Sequence, residues 1–324
     1  MTNITVVGNV LADIIFSLPK HYLGRKLSEE AINLPFGSKV EASEYQLLSG
    51  GTGGNMAVGL KRSGLNTLLI SGISSDALGA LLKSKLTEEK LDLDIVEYSE
   101  PTGISVILRV GAERTILSAH SRNYDYLNSE IPEKGWIHAC PIPDSQSKFY
   151  AKLTQHFIKT GQRYSCNPSM EVIELRSHDF MVFLRSCTII FLNMEEALRL
   201  TRLPIHSRGE DVIKAIHRMG VKIACITDGE RGAYTGISGE VLFAPALSDK
   251  LSRVDATGAG DAFASGFLAA YLSDSIEASS QLSTSLRWAI ANSASVVSQL
   301  GAQAGLLTKR ELEQKAISVK LKEV

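Results

Sequence analysis

The sequence predicts an α/β fold, a three-layer sandwich in which helices cover both faces of a mostly parallel β-sheet. Short β-branched runs alternate with longer amphipathic segments, and 44% of the 324 residues are hydrophobic. Such alternation is typical of a parallel sheet that is buried on both faces. A chain of this length can bury a large core without disulfides. Because no repeat, low-complexity tract or long linker interrupts the pattern, residues 1–324 are expected to form a single domain.

The predicted elements follow in order along the chain. Five short β-branched runs are predicted as buried strands: Ile4–Val7, Thr67–Ser71, Trp136–Ala139, Thr188–Leu192 and Lys222–Thr227. Segments with apolar residues three and four positions apart are predicted as helices: Asn55–Arg62, Leu78–Leu91, Ser147–Thr160, Met194–Thr201, Asp211–Met219, Ala262–Leu272 and Ser283–Leu300.

Two stretches break this alternation. Pro35–Leu48 is predicted to be extended, and Thr102–Ala119 is predicted as a hairpin that turns around Gly111–Glu113. A small β excursion from a helix-covered sheet can serve as a lid over a cleft. We therefore expect a small β-strand lid formed by residues 13–48 and 102–119.

Charge and cysteine content exclude several classes of partner. The 34 Lys and Arg residues balance 35 Asp and Glu residues, so no overall positive field attracts nucleic acid or a membrane surface. The four cysteines are far apart and form no CxxC motif, which favours buried, reduced thiols and a cytoplasmic protein. No run approaches the roughly 18 uncharged apolar residues of a membrane-spanning helix.

The sharpest local signal is the segment Asp255–Asp261, DATGAGD, which runs into a helix of small residues. Glycine and alanine allow a ligand to approach the backbone, and the first amides of a helix attract anions such as phosphate. A carboxylate at this place repels phosphate, so Asp261 is predicted to deprotonate an attacking hydroxyl. The alternative is an ordinary helix cap with a tight glycine turn.

A second glycine cluster, Gly50–Gly54, precedes the helix predicted from Asn55. Four glycines in five residues cost backbone entropy, so their amides are expected to face a ligand. A flexible hinge is the alternative. The cluster is not a Walker A loop, because Lys61 does not follow a glycine at the required spacing, and it is not a GxGxxG fingerprint, because Met56 stands where the last glycine belongs.

Two weaker signals follow predicted strands. Asn193 comes after the strand ending at Leu192 and opens a helix, which capping alone explains. The run 227–232, TDGERG, is predicted as a turn at the carboxyl edge of the sheet, where ligands bind in open α/β folds. A plain turn is the alternative there.

Together these ordered motifs resemble the PfkB, or ribokinase-like, family of carbohydrate kinases over most of the chain, from Ile4 to Gln303. The matching segments are Gly50–Asn55 for the first signature, Asp255–Asp261 for the second, Asn193–Glu196 for the Asn-x-x-Glu motif, Thr227–Gly232 for the nucleotide turn and Gly301–Gln303 for the closing segment. The resemblance implies a ribokinase-like fold and an ATP-dependent kinase that phosphorylates a sugar hydroxyl.

The resemblance also implies roles for individual residues. Asp261 is expected to be the base, and the amides of Gly258, Ala259 and Gly260 are expected to form the anion hole, since phosphoryl transfer depends on positioning and electrostatics. The residues expected to line the nucleotide site are Asn193, Thr227, Gly229 and Gly232.

Metal ions are implied by the same resemblance. Glu196, and less directly Asn193, is expected to organise Mg²⁺ through water, because magnesium keeps several of its waters. The groups expected to hold a monovalent cation such as K⁺ are Asp255, Thr257 and the carbonyls near Val296, Gln299 and Gly301.

The implied acceptor pocket consists of Asp13, Gly50, Gly51 and Asn55. A carboxylate at Asp13 can accept hydrogen bonds from two sugar hydroxyls. In relatives such lids often pair between subunits, which implies a homodimer. Arg114, on the predicted hairpin, either reaches the acceptor or is solvated.

Both a sugar and a nucleoside are compatible with the sequence as the phosphate acceptor. Leu11 and Thr52 stand where many ribose-specific relatives carry asparagine and lysine. A nucleoside base needs an apolar or aromatic wall, which Phe36 and Tyr124 could supply unless they pack within the lid. A non-catalytic sugar- or nucleotide-binding regulator is a further alternative.

Overall fold

A ten-stranded sheet forms the middle of the molecule. The computed structural model describes residues 3–26, 29–111, 113–119, 128–142, 148–237, 239–247 and 254–324. In spatial order the strands are β7 (Asp92–Tyr98), β6 (Asn66–Ser74), β1 (Asn3–Val7), β10 (Trp136–Ala139), β11 (Tyr164–Cys166), β12 (Ile189–Asn193), β13 (Ile223–Thr227), β14 (Ala233–Ile237), β15 (Glu240–Ala244) and β16 (Lys322–Glu323). The first seven are parallel, and the last three add antiparallel to one edge.

Helices cover both faces of this sheet. The helices on one face are α1 (Thr52–Arg62), α2 (Ala77–Glu88), α8 (Ala259–Tyr271) and α9 (Gln281–Val296). Those on the other face are α3 (Lys148–Thr160), α4 (Met170–Leu175), α5 (His178–Ser186), α6 (Met194–Thr201) and α7 (Gly209–Arg218). A further helix, α10 (Lys309–Ala316), packs against α8 and α9.

Strand periodicity explains why two cores form. Along β1, Val6 packs with the α1 and α8 layer, whereas the next residue, Val7, packs with the α3 to α7 layer. Successive side chains of a strand point to opposite faces, so an all-apolar strand requires cover on both. The predicted three-layer sandwich around a mostly parallel sheet is therefore confirmed.

The α8 helix is buried from Ala262 to Ala270 and lies close to its neighbour α9. A β-carbon added at Gly266 would lie 2.8 Å from the Trp288 carbonyl oxygen. Glycine and alanine along α8 thus let the two helices approach closely. This packing fixes the first turn of α8, which contains Asp261.

A second, four-stranded sheet lies apart from the main one, in the order β5 (Glu44–Gly50), β2 (Leu11–Ser17), β8 (Ile104–Val110) and β9 (Glu113–Ala119). The hairpin predicted near Gly111 is present, although Ala112 lies outside the described residues. The β2 and β8 strands are parallel, and the other two pairs are antiparallel. A separate two-stranded hairpin joins β3 (Leu23–Lys26) and β4 (Glu29–Ile32).

Several elements differ from their predictions. Of the region predicted to be extended, Pro35–Leu48, only the part from Glu44 onward forms a strand, which ends at Gly50 and pairs with β2; β2 itself was not predicted. Asp13 lies inside β2. Ser147, the predicted first residue of α3, lies outside the described residues.

All four cysteines are buried and free, as predicted. Within the described part of the chain, no helix is both long and apolar enough to span a bilayer.

Candidate active site

The first turn of α8 leaves open space in front of its amides. Gly258 precedes the helix with a φ of 76°, and no side chain of the described residues caps the helix. A β-carbon at Gly258 would overlap Ala302, so glycine is required there. A β-carbon at Gly260 would meet no neighbour within 4 Å in the part of the chain that the structure describes, which shows room for a ligand directly beside this turn.

One of the three amides predicted for the anion hole is already engaged. The Ala259 N–H donates to the Ala256 carbonyl oxygen at 3.3 Å, closing the turn before the helix. Of the three amides predicted to form the anion hole, those of Gly258, Ala259 and Gly260, the Ala259 amide thus has a protein acceptor. The Gly260 amide belongs to the first turn of the helix and has no partner within it.

Asp261 is connected to the glycine cluster by direct hydrogen bonds. Asn55 Nδ2 donates to Asp261 Oδ2 at 2.8 Å, and Gln303 Nε2 donates to Asn55 Oδ1 at 3.0 Å. Arg62 Nη1 in turn donates to the Gln303 carbonyl oxygen at 2.7 Å. The sequence placed Gln303 in the segment that closes the nucleotide site, whereas its side chain supports the amide that orients Asp261.

The surroundings of Asp261 raise its pKa to about 7. Burial is the largest cause, the nearby negative charge of Asp13 adds to it, and the hydrogen bond from Asn55 opposes it. A carboxyl group with a pKa near neutrality can take a proton from a hydroxyl and release it afterwards.

Asp13 faces the same space from β2. A β-carbon at Gly50 would overlap the Asp13 carboxylate, so the absence of a side chain at Gly50 makes room for that group. The pKa of Asp13 is raised to about 6, chiefly by burial and then by the negative charge of Asp255, while a hydrogen bond from Ser105 lowers it. Two carboxyl groups that are costly to ionise therefore lie close enough to affect each other's charge.

At the remaining glycines of the cluster, the backbone approaches the segment around Asn9 closely. Gly51 has a φ of 86°, and a β-carbon there would lie 2.7 Å from the Asn9 carbonyl oxygen. The Gly54 N–H donates to that same oxygen at 3.2 Å. This packed crossing contradicts the hinge interpretation, and it commits the Gly54 amide to the protein instead of to a ligand.

The turn before α8 is organised by the carboxylate of Asp255, which is 4% exposed. The Thr257 N–H and Oγ1–H donate to Asp255 Oδ1 at 2.9 and 2.7 Å, and the Gly301 N–H donates to Oδ2 at 3.1 Å. Three of the roughly four acceptor positions of a carboxylate are thereby filled.

The small sheet touches this turn through two arginines. Arg114 Nε lies 3.8 Å from Asp255 Oδ1, and Arg109 Nη2 donates to the Val254 carbonyl oxygen at 3.2 Å. Arg114 therefore lies against a buried carboxylate, whereas the sequence left open a purely solvated arginine.

A cavity of 430 Å³ lies on the other side of the α8 first turn. Its walls include three of the residues predicted for the nucleotide, Thr227, Gly229 and Gly232, together with Ala259 and Gly260. The wall residues that the sequence did not indicate are Glu230, Ala233, Ala246, Leu247, Phe263, Ile290, Ser293, Ala294, Val297 and Ser298. Four of these, from Ile290 to Val297, recur three and four positions apart along α9, a spacing that marks one helix face.

Asn193 and Glu196 are engaged with each other. The Glu196 N–H donates to Asn193 Oδ1 and the Asn193 N–H donates to Glu196 Oε2, both at 2.8 Å, which is a capping box. Neither residue is among those lining the 430 Å³ cavity. Burial raises the pKa of Glu196, and its Oε1 has no hydrogen-bond partner among the described residues.

Other predicted residues occupy different places. The Gln299 N–H donates to the Val296 carbonyl oxygen at 3.0 Å, so that carbonyl already has one partner. Phe36 is fully exposed and forms no wall, and Tyr124 lies outside the described residues.

Comparison with known proteins gives concordant matches. A family model described as pfkB family carbohydrate kinase matches residues 1–309. Ribokinase of Haemophilus influenzae is 25% identical over 323 residues, covering 95% of this chain and 96% of that protein. Cytidine kinase of Thermococcus kodakarensis is 32% identical over 153 residues, covering 45% of this chain and 49% of that one.

A solved structure shows the same fold over nearly the whole chain. Ribokinase of Arabidopsis thaliana, complexed with ribose and ATP, superimposes with a TM-score of 0.76 at 22% identity. The match covers 97% of this chain and 98% of that one. The expected ribokinase-like fold is thus confirmed.

Proposed function

Because the chain belongs to the pfkB family of carbohydrate kinases, and is therefore a phosphotransferase, we propose that it transfers the γ-phosphoryl group of ATP to a sugar hydroxyl with Asp261 as base. The observation that carries this proposal is the 2.8 Å hydrogen bond from Asn55 Nδ2 to Asp261 Oδ2. It joins the acid at the start of α8 to the glycine cluster beside Asp13, so base and acceptor pocket form one site.

The proposed reaction is an in-line displacement. The acceptor hydroxyl gives its proton to Asp261, its oxygen bonds to the γ-phosphorus, and the bond from that phosphorus to the β–γ bridging oxygen breaks to release ADP. Gly260 and the positive end of α8 face the charge that spreads over the phosphoryl oxygens. Asp13 orients the acceptor by accepting hydrogen bonds from its other hydroxyls.

The nucleotide is proposed to occupy the 430 Å³ cavity, since that space adjoins Gly260 and ends at the turn after β13. Phe263, Ile290 and Val297 give it an apolar wall for a base. Thr227, Gly229 and Gly232 lie at the carboxyl end of β13, where nucleotides bind in open α/β sheets.

The residues proposed for metal ions suit their roles. Among the described residues Glu196 Oε1 has no hydrogen-bond partner, so it can hold water of the Mg²⁺ shell while Oε2 caps the helix. Magnesium would neutralise phosphate charge during transfer.

For K⁺, we propose the groups around Asp255, whose carboxylate has one acceptor position left after its three hydrogen bonds. The other proposed groups are Thr257 and the carbonyls of Val296, Gln299 and Gly301. Replacing KCl by tetramethylammonium chloride at constant ionic strength is expected to lower turnover, and equal rates in both salts would remove K⁺ from the proposal.

A homodimer through the small sheet is also proposed. One face of that sheet carries Phe16 and Tyr45, whose ring centroids lie 6.3 Å apart, and Leu117; Tyr45 is 71% and Leu117 57% exposed. Apolar side chains clustered on one exposed face favour a partner. Sedimentation analysis of the wild type and of Leu117→Lys would show a dimer that the variant loses; two monomeric samples would reject the dimer.

A nucleoside kinase of the same fold is the second candidate, favoured by the 32% identity to a cytidine kinase. The experiment that separates the two measures ADP release with ribose, fructose, fructose 6-phosphate, adenosine and cytidine. We expect turnover of a sugar; turnover of nucleosides alone would reject the lead proposal. Ligand binding without ADP release from any acceptor would indicate a non-catalytic regulator instead.

A further inference from the structure

His138 is a buried titratable residue for which the proposed mechanism has no use. It lies in β10, is 0% exposed and contacts the ring of Phe191 edge-on. Burial lowers its pKa to about 3, so the ring is neutral at working pH. A neutral imidazole has one donor and one acceptor nitrogen, and each has a partner in this structure.

The partners of His138 form a short chain of hydrogen bonds. Trp136 Nε1 donates to Ser165 Oγ at 2.9 Å. Ser165 Oγ lies 2.8 Å from His138 Nδ1, and His138 Nε2 lies 3.2 Å from Asn167 Oδ1. All four side chains lie on β10, on β11 or directly after β11.

One assignment of protons satisfies every group in this chain. Tryptophan can only donate, so Ser165 Oγ accepts from it and gives its own hydrogen to His138 Nδ1. The His138 Nε2–H then donates to Asn167 Oδ1. The reverse tautomer leaves the Ser165 hydrogen without an acceptor in a dry interior, which is costly. The chain therefore fixes the amide of Asn167 with its oxygen turned towards the histidine.

The nitrogen of the Asn167 side-chain amide is available to a ligand. Among the described residues, Asn167 Nδ2 has no hydrogen-bond partner, and the only buried side-chain polar atom without one is Ser49 Oγ. Asn167 is partly exposed, so its two N–H groups face accessible space. A group that offers only donors binds an acceptor such as a phosphate oxygen and cannot ligate a metal ion.

The sheet register places the Asn167 amide between the strand end near Asp261 and the strand end that lines the 430 Å³ cavity. Ala139 pairs with Cys166, so Asn167 stands beside Cys140 at the ends of adjacent strands. Cys140 is close enough to Asp261 for that carboxylate to raise its pKa, after burial. On the other side lie β12 and then β13, whose last residue, Thr227, lines the 430 Å³ cavity.

We propose that Asn167 binds the terminal phosphate of the nucleotide, and that His138 is the positioning residue that keeps the Asn167 N–H groups turned towards it. The inference rests on the proposed function in taking ATP as the nucleotide. Neither residue belongs to a motif, so this role could not be predicted from the sequence.

Binding measurements test Asn167 without requiring turnover. Titration calorimetry with a non-hydrolysable ATP analogue and with ADP is expected to show at least a tenfold weaker affinity of Asn167→Ala for the analogue and an unchanged affinity for ADP. Asn167→Asp keeps the acceptor for His138 but adds a negative charge without an N–H, so its loss is expected to be larger. Wild-type affinities in both variants would overturn the proposal.

His138 requires a test that separates positioning from stability. His138→Phe removes both ring nitrogens, and we expect its turnover and ATP-analogue affinity to fall about tenfold with the acceptor KM unchanged. His138→Gln carries an amide N–H near the Nε2 position and is expected to recover part of the loss. Trp136→Phe removes only the indole N–H that donates to Ser165, at the far end of the hydrogen-bond series. It is the matched control and is expected to change stability alone.

A His138→Phe enzyme that melts earlier but has wild-type kinetic constants and affinities would show a purely structural role and overturn the positioning proposal. Wild-type protein that binds the analogue yet phosphorylates no acceptor would contradict the proposed function alone, because the binding tests of Asn167 and His138 still give their answer.

Discussion

Two helices begin near the carboxyl edge of the central sheet, and their first turns are built in opposite ways. The α6 helix is capped by its own sequence, since Asn193 and Glu196 satisfy each other's backbone N–H groups. The α8 helix has Gly258 as its N-cap, no capping side chain among the described residues, and open space beside Gly260. A helix start with unsatisfied amides needs an external acceptor, whereas a self-capped start needs none.

The two motifs differ in what they offer to a ligand. Both segments resemble signatures of one family, but only the α8 start lines the cavity and holds a carboxyl group with a pKa near neutrality. Asp261→Asn and Gly260→Ala at α8 are therefore expected to change catalysis with little loss of stability, whereas Asn193→Ala at α6 is expected to do the reverse.

The largest expected effect is that of Asp261→Asn. Loss of the base is expected to lower turnover by about 10²- to 10⁴-fold while the nucleotide still binds. Coupled ADP release measures the rate and calorimetry the binding. Asp76→Asn, at the N-cap of α2 and not among the residues proposed for the site, is the control and is expected to keep its rate. Near wild-type activity of Asp261→Asn would remove Asp261 from the mechanism.

A pair of glycine substitutions sharpens the distinction within α8. At Gly260 an added methyl group meets no protein atom, so Gly260→Ala is expected to keep or slightly raise the melting temperature while it obstructs the phosphoryl group and lowers kcat/KM for ATP about tenfold or more. At Gly258 the φ of 76° and the overlap with Ala302 predict a loss of about 1–2 kcal/mol or more in unfolding free energy. Equal melting temperatures and equal rates for the two variants would contradict the open-turn description.

The pH dependence of the rate follows from the acids around α8. Because Asp261 must be ionised to accept a proton and its pKa is raised to about 7, kcat/KM is expected to rise with pH and level off above about 7. Asp13→Asn removes the negative charge that helps to raise this pKa, so the midpoint of its rate profile is expected to move to lower pH. A profile that stays flat from pH 5 to 8 in the wild type would contradict the assignment.

The Asp261 and Asp13 carboxyl groups also make the free energy of unfolding depend on pH. Asp261 and Asp13 have folded-state pKa values of about 7 and 6, above the value of 3.8 for an unperturbed aspartate. Between about pH 4 and 7 the folded protein therefore binds more protons than the unfolded chain, and the free energy of unfolding falls as pH rises. Denaturant titrations of Asp261→Asn across this range are expected to show a smaller fall.

The smallest effects are expected at α6. Asn193→Ala removes a cap and is expected to cost about 1 kcal/mol of stability with little change in turnover. Glu196→Gln retains an oxygen that can accept from the Asn193 N–H but loses the charge, so it is expected to keep its melting temperature and to require more Mg²⁺ for half-maximal rate. An unchanged Mg²⁺ requirement would leave Glu196 with capping as its whole role.

Many of these strands, helices and turns depend on interactions between neighbouring residues, so they could be predicted from the sequence. The β-branched runs Ile4–Val7 and Thr188–Leu192, the helical spacing of α3 and the glycine turn before Ala259 each depend on a few neighbouring residues. Backbone sterics and hydrophobic burial dictated these elements, and the order of the glycine-rich segments around them indicated the family and the proposed base, Asp261.

The tertiary structure alone decided what joins these segments across long stretches of chain. Asn55 and Asp261 are 206 positions apart, Gln303 reaches Asn55 from a third segment, and the His138–Asn167 pair spans two strands. No periodicity encodes such contacts, because they depend on strand order and helix packing. The raised pKa of Asp261 has the same origin: desolvation and a neighbouring charge exist only after the chain has folded around it.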